Sequence, residues 1–230
     1  MTRTFKAFSA LLAYPSYELQ EAVPAIRAVF TDEAIVSAEA LEAIQTLLLE
    51  FETGDIFDLQ ERYVLLFDRS RTLSLNLFEH IHGEGRDRGG AMVDLLETYR
   101  AKGFELVATE LPDHLPVLLE FASTLSLEAA RELLADAGHI IAALAERLTR
   151  RETPYATVLA ALSEIAQASV ETKEAQLLIA EKDDNPEDLE ALDAVYEEAM
   201  VTFGPDLDAG CPVSRDILAR MDEPLRPTNA

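Results

Sequence analysis

The stretch Ser37-Ala-Glu-Ala-Leu41-Glu-Ala-Ile44-Gln-Thr-Leu-Leu48-Leu-Glu-Phe51-Glu-Thr-Gly54 decides the fold class. Leu41, Ile44, Leu48 and Phe51 recur at three- and four-residue steps, which stacks them on one face of an α-helix. Ser37 stands where an N-cap oxygen is needed, and Gly54 closes the run where a side chain would be unwelcome. Working toward the N-terminus, Ser16 caps a helix with Leu19, Val23, Ile26 and Phe30 inward, which Pro24 should bend or split. Before it, Phe5, Phe8, Leu11 and Leu12 share a face of a first helix stopped by Pro15. With Arg3 and Lys6 this segment imitates a secretion signal, but no small-x-small cleavage site precedes Pro15, so a first helix and a cytoplasmic location are expected.

Downstream, Asp55 opens a helix whose face carries Leu59, Tyr63, Leu66 and Phe67. A polar, turn-prone stretch over 68–90 follows, broken by a short apolar piece at 73–81. Helical period resumes over 91–102, with Met92, Leu95, Leu96 and Tyr99 inward and Gly103 just past the end. It continues over 116–125, 127–135, 140–150 and 155–169, with Ser126 and Pro154 as start signals. No window shows strand alternation. The expected fold is all-α, a compact bundle of antiparallel helices joined by short connections.

The residues after 171 change character: 172–230 hold 15 acids, 5 bases and five of the ten prolines. One amphipathic patch remains there, Leu189, Leu192, Val195, Tyr196 and Met200. The expected organisation is a helical domain over 1–171 and an acidic tail over 172–230, partly disordered or loosely docked.

Charge limits the function classes. Forty-three acids against 19 bases give 230 residues a net charge of −24. Such a chain repels phosphate backbones and anionic headgroups, which disfavours nucleic acid and membrane surfaces and favours an apolar, basic peptide. No apolar run reaches the roughly 18 residues a membrane span requires. The single cysteine, Cys211, excludes a disulfide within the chain and a cysteine-rich zinc site. No Ser/His/Asp or Cys/His constellation stands out, so no catalytic residue is assigned.

Three stretches hold chemistry. In Tyr63-Val-Leu-Leu66-Phe67-Asp68, Tyr63 and Phe67 are i, i+4 neighbours; they are either core or the wall of a groove with the tyrosine hydroxyl at its wet edge. In Glu110-Leu-Pro112-Asp113-His114-Leu-Pro116, two prolines pin a helix entrance, starting at Pro112 or nearer Pro116. Its acids suit a helix N-terminus and could also face a cationic ligand. In His80-Ile-His82-Gly-Glu84-Gly-Arg86-Asp87-Arg88-Gly89-Gly90, two histidines and an acid invite a metal reading. Without a strand to align His80 and His82, a loop with Asp87 capping the next helix and Arg86 and Arg88 paired to acids fits better. The glycines lack the context of a phosphate-binding loop.

Together these stretches resemble the redox-enzyme maturation chaperones, through the aromatic-x-x-Leu-Phe motif at Tyr63–Phe67 and the Glu-x-Pro-Asp-His motif at Glu110–His114. The segment from Phe78 to Gly89 is similar to the narrower nitrate reductase delta subunit branch, the molybdenum cofactor assembly chaperones. The likeness covers about residues 4–170. It implies an all-helical, noncatalytic cytoplasmic chaperone that binds the N-terminal leader remnant of a nitrate reductase catalytic (alpha) subunit. Such a chaperone would keep the subunit open for bis(molybdopterin guanine dinucleotide) insertion, aid iron–sulfur loading and delay membrane docking. It implies no permanently bound cofactor or metal. By the same resemblance, Tyr63, Leu66, Phe67, Glu110, Pro112, Asp113 and His114 bind the leader, and His80, His82, Glu84, Arg86, Asp87 and Arg88 form a second contact or loop. The competing readings are an all-helical metal-dependent hydrolase using His80, His82, Asp113 and His114, and a generic helical adaptor.

Overall fold

The computed structural model describes residues 2–83, 86–106 and 110–182. Helices run α1 Arg3–Leu11, α2 Tyr17–Glu33, α3 Ala38–Thr53, α4 Ile56–Tyr63, α5 Glu79–His82, α6 Arg86–Ala101, α7 Leu115–Thr124, α8 Leu127–Asp136, α9 Gly138–Arg150, α10 Tyr155–Ile165 and α11 Lys173–Ala180. A π-helical turn, Val64–Asp68, continues α4, and a 3-10 turn covers Arg71–Leu73. Among the described residues there is no strand, and none of their helices is long and apolar enough to cross a membrane.

The caps read from sequence form as expected. The hydroxyls of Ser16, Ser37 and Ser126 accept from the amides of Leu19, Ala40 and Ala129, and Asp55 accepts from Phe57. Each satisfies an amide that the first helical turn leaves without a partner. Phe5, Phe8, Leu11 and Leu12 are fully buried, which gives α1 its seat between α2 and α7. Helix α9 lies against α8, α10 and α11 and is buried over most of its length, as a central helix must be.

Three local expectations are corrected. Pro24 does not split α2: its ring sits on the exposed side, while Val23, Ile26 and Phe30 hold the other side. The helix expected from 91 begins at Arg86 and runs through Gly89 and Gly90, so Asp87 lies in its first turn instead of capping it. Tyr99 and Leu95 anchor α6 to the core and offset the poor helical propensity of the two glycines. Helix α10 ends at Ile165, and Gln167 just beyond adopts φ +53°, a left-handed turn made without glycine.

The first residues of the acidic segment form α11, capped by Thr172 and docked on α9 through Ala175, Leu178 and Ile179. The described residues all fall within one compact unit. The patch from Leu189 to Met200 lies outside the described residues.

Candidate functional site

The first signature stretch closes over the core. The Tyr63 hydroxyl donates to the Leu12 carbonyl at the end of α1 (3.0 Å), and the residue is only 4% exposed. Its ring meets Phe67 at 4.9 Å, Tyr14 at 5.5 Å and Tyr155 at 6.3 Å. Of the two readings that spacing left open, core packing and a groove wall with the hydroxyl at its wet edge, the first holds: a buried carbonyl at a helix end captures the hydroxyl. Leu66 and Phe67 are also buried, within the π-helical turn, where Arg69 N–H donates to Val64 O (3.0 Å). The wider turn adds a residue to the helix and delivers Asp68 to the surface.

The second stretch is pinned from two directions. Helix α7 starts at Leu115 with His114 as N-cap, placing Pro116 within the first turn, where no amide is needed, and Asp113 ahead of it. Asn76 and His114 form an antiparallel bridge: Leu77 N–H donates to Asp113 O (3.0 Å) and Leu115 N–H to Leu75 O (2.8 Å). The fully buried Asp113 carboxylate accepts from Phe78 N–H (3.0 Å) and lies 3.9 Å from the Arg88 guanidinium. Tyr99 donates to Pro112 O (2.7 Å). Pro112 and Asp113 thus tie the chain over 74–78 to the entrance of α7.

What the two stretches present outward is a small group of charges. His114 is half-buried, with Nδ1 3.8 Å from the exposed Glu110 carboxylate. Burial holds His114 below its ordinary pKa, while Glu110, Asp113 and Asp68 pull it back upward. Asp68 is raised, first by desolvation and then by Glu110, with His114 opposing. Burial also pushes Tyr63 up, and the charges of Asp68 and Glu110 add to it. Asp68, Glu110, His114 and the aromatic layer therefore share one neighbourhood. Among the described residues no Lys or Arg forms an ion pair with Asp68 or Glu110. Two carboxylates beside an imidazole that resists protonation would accept a guanidinium or ammonium.

The third stretch divides. His80 Nε2 lies 2.8 Å from Ser74 O, and burial lowers its pKa, with Arg147 adding to the effect. His82 meets Phe78 edge-on, with ring centroids 6.0 Å apart. Arg88 reaches toward Asp113, whereas Asp87 points to solvent. Glu84 and the side chain of Arg86 lie outside the described residues. Among the described residues no three His, Cys, Asp or Glu side chains gather as a metal site. His80 and His114 have separate surroundings, so the hydrolase reading loses its geometric basis.

Two residues escaped the sequence reading. Asp68 was visible only as the end of a motif. Arg147 sits in α9 between Leu144 and Leu148, and a charge within so apolar a helix was its available signal. Its buried guanidinium donates to Thr72 O (2.5 Å), to Leu178 O and to Glu181 (3.0 Å).

A family model described as nitrate reductase delta subunit matches residues 33–161, which include every residue from Tyr63 to His114. Over 208 residues the chain is 42% identical to the nitrate reductase molybdenum cofactor assembly chaperone NarJ of Escherichia coli K12, covering 88% of this chain and 85% of that protein. It is 43% identical over 158 residues to the probable chaperone NarW of the same strain, covering 68% and 67%. Against the probable chaperone NarJ of Bacillus subtilis 168 it is 35% identical over 159 residues, covering 68% and 84%.

Proposed function

The chain belongs to the nitrate reductase delta subunit family, and we propose on that footing that it is a molybdenum cofactor assembly chaperone for a nitrate reductase, without catalysis of its own. The client is the apo catalytic subunit, held in the cytoplasm through its N-terminal leader remnant. Holding it keeps the subunit open for bis(molybdopterin guanine dinucleotide) and iron–sulfur insertion and delays its docking on the membrane. The cofactor is cargo of the client, and the chaperone keeps none. Residues 1–171 serve as the chaperone domain and 172–230 as an acidic appendage.

The observation that carries the leader site is the convergence of Asp68, Glu110 and His114 from two separate signature stretches, with no Lys or Arg among the described residues pairing with either acid. A basic residue of the leader would pair with these carboxylates and relieve the repulsion between the acids. Leu111, exposed beside Glu110, offers apolar contact. Tyr63, Leu66, Phe67, Pro112 and Asp113 act from beneath as the frame that sets the geometry. His80, His82, Glu84, Arg86, Asp87 and Arg88 belong to the adjoining segment that would take a second client contact.

A calorimetric titration with a synthetic peptide of the alpha subunit's N-terminus tests this. A releasable complex has a micromolar to nanomolar Kd, about −8 to −12 kcal/mol. Asp68→Asn and Glu110→Gln should each weaken binding several-fold and reduce its salt dependence. Unchanged affinity in the double variant would remove the leader from this acidic cluster.

A further inference from the structure

Three large aromatic side chains lie open to solvent at one end of the bundle: Tyr14 at 51%, Tyr17 at 62% and Phe57 at 71% exposure. They come from the α1–α2 turn, the first residue of α2 and the first turn of α4. Two glutamines hold these pieces together. Gln60 donates to Pro15 O (2.8 Å), and Gln20 donates to both Phe51 O and Gly54 O (2.9 Å each). On α4, Gln60 lies between the direction of Tyr63 and that of Phe57, and Tyr14 covers the Tyr63 ring edge-on. Tyr17 stands one turn before Gln20 on the same side of α2. The three rings therefore stand on segments that these hydrogen bonds tie together around the Pro15 and Gly54 turns.

Single exposed apolar residues are ordinary, whereas a cluster of aromatics marks an interaction surface. Its surroundings define what it receives. Glu18, Glu21, Asp55, Asp58 and Glu61 are all exposed around it. The nearest bases in sequence on these helices, Arg27 and Arg62, are engaged by Glu52 (3.1 Å) and Glu50 (2.6 Å). An apolar centre within an acidic margin repels a second copy of this chain at net charge −24, and repels its acidic C-terminal segment equally.

We propose that the Tyr14–Tyr17–Phe57 surface is a docking site for a basic amphipathic segment of a partner protein, separate from the Asp68–Glu110–His114 cluster. Apolar residues of the segment cover the rings, and its lysines or arginines meet the acids and the ring faces. The partner approaches by charge and is retained by aromatic burial.

The test uses the full chain and fluorescence anisotropy with an 18-residue amphipathic leucine–lysine peptide. Leucine–glutamate and serine–lysine peptides of the same length are run beside it. The double substitution Tyr17→Ser/Phe57→Ser leaves the charge unchanged and removes only exposed rings, so it separates docking from general attraction of a basic peptide to an acidic protein. Expected is saturable binding of the leucine–lysine peptide, weakened at least tenfold in the double variant and kept in Glu110→Gln, with neither other peptide binding comparably. Equal binding by wild type and double variant overturns the proposal, as does loss in Glu110→Gln instead. A dimer dispersed by the double variant, or hydrogen-exchange protection over 189–200 that it abolishes, would assign the surface to self-association or to the chain's own tail and also overturn it.

Discussion

Arg147 in α9 donates to the carbonyl of Leu178 in the last turn of α11, so one buried cation closes the C-terminal end of that helix. The same guanidinium donates to Thr72 O, in the segment that leads to the Asn76–His114 bridge. An eight-residue helix is too short to persist without docking, and here the docking residue also holds the chain at Thr72.

Substitution of Arg147 by Met should remove the buried charge-assisted hydrogen bonds to Thr72 O and Leu178 O. The expected loss is about 2–4 kcal/mol in urea unfolding. Because Glu181 is largely exposed, Glu181→Gln should cost less than about 1 kcal/mol. Hydrogen exchange should rise together over 70–80 and 173–181 in Arg147→Met; a rise confined to 173–181 would show that the two segments are not linked.

Replacing Phe67 by Ala opens a cavity in the aromatic layer and should destabilise by about 3–5 kcal/mol. Tyr63→Phe leaves the Leu12 carbonyl unpaired, at a cost of about 1–2 kcal/mol. Thermal and urea unfolding check both. Loss of peptide binding by such variants is informative only if the variant remains folded, which makes the exposed Asp68 and Glu110 the better probes of leader binding.

Stability should fall on mild acidification. His80 and His114 are both held below the ordinary 6.5 in the folded chain. Between the folded value and 6.5, the unfolded chain binds protons that the native one refuses, so stability is complete above about pH 6.5 and declines as pH falls below it. Asp68, raised from 3.8, has the opposite sign, but its relief arrives only in the carboxylate range. Urea midpoints at pH 7.5 and 5.5 should differ, and His80→Gln with His114→Gln should flatten the difference.

Asp113→Ala should release the 74–78 segment. Phe78 N–H loses its acceptor and Arg88 its nearest carboxylate, for about 1–3 kcal/mol or somewhat more. Exchange at 77–83 should accelerate well before global unfolding, whereas a uniform change across the chain would mean that Asp113 supports the core rather than this segment.

Helix type and most helix starts were legible in the sequence because their causes are local. Ser16, Ser37, Asp55 and Ser126 cap amides two or three residues away, and the stripes they open need only the 3.6-residue period. Where the decisive partner is distant, the same reading was incomplete. Pro24 looks like a break until Val23, Ile26 and Phe30 are seen buried beside it, and the start of α6 depends on what Tyr99 reaches. The ends of α9 and α10 lack a glycine because Glu152 and Gln167 take the left-handed turn themselves.

The candidate site divides along the same line. Spacing alone put Tyr63 and Phe67 on one helix face, and equally allowed core or groove; the Leu12 carbonyl, 51 residues away, decided for core. The bringing together of Asp68 with Glu110 and His114, the burial of Arg147, and the exposure of Tyr17 and Phe57 all follow from how helices pack across long separations. By itself the sequence determined an acidic, all-helical chain with its signature motifs in order. Tertiary structure alone decided which of those residues face solvent, because burial is a property of every surrounding element and no periodicity within one helix encodes it.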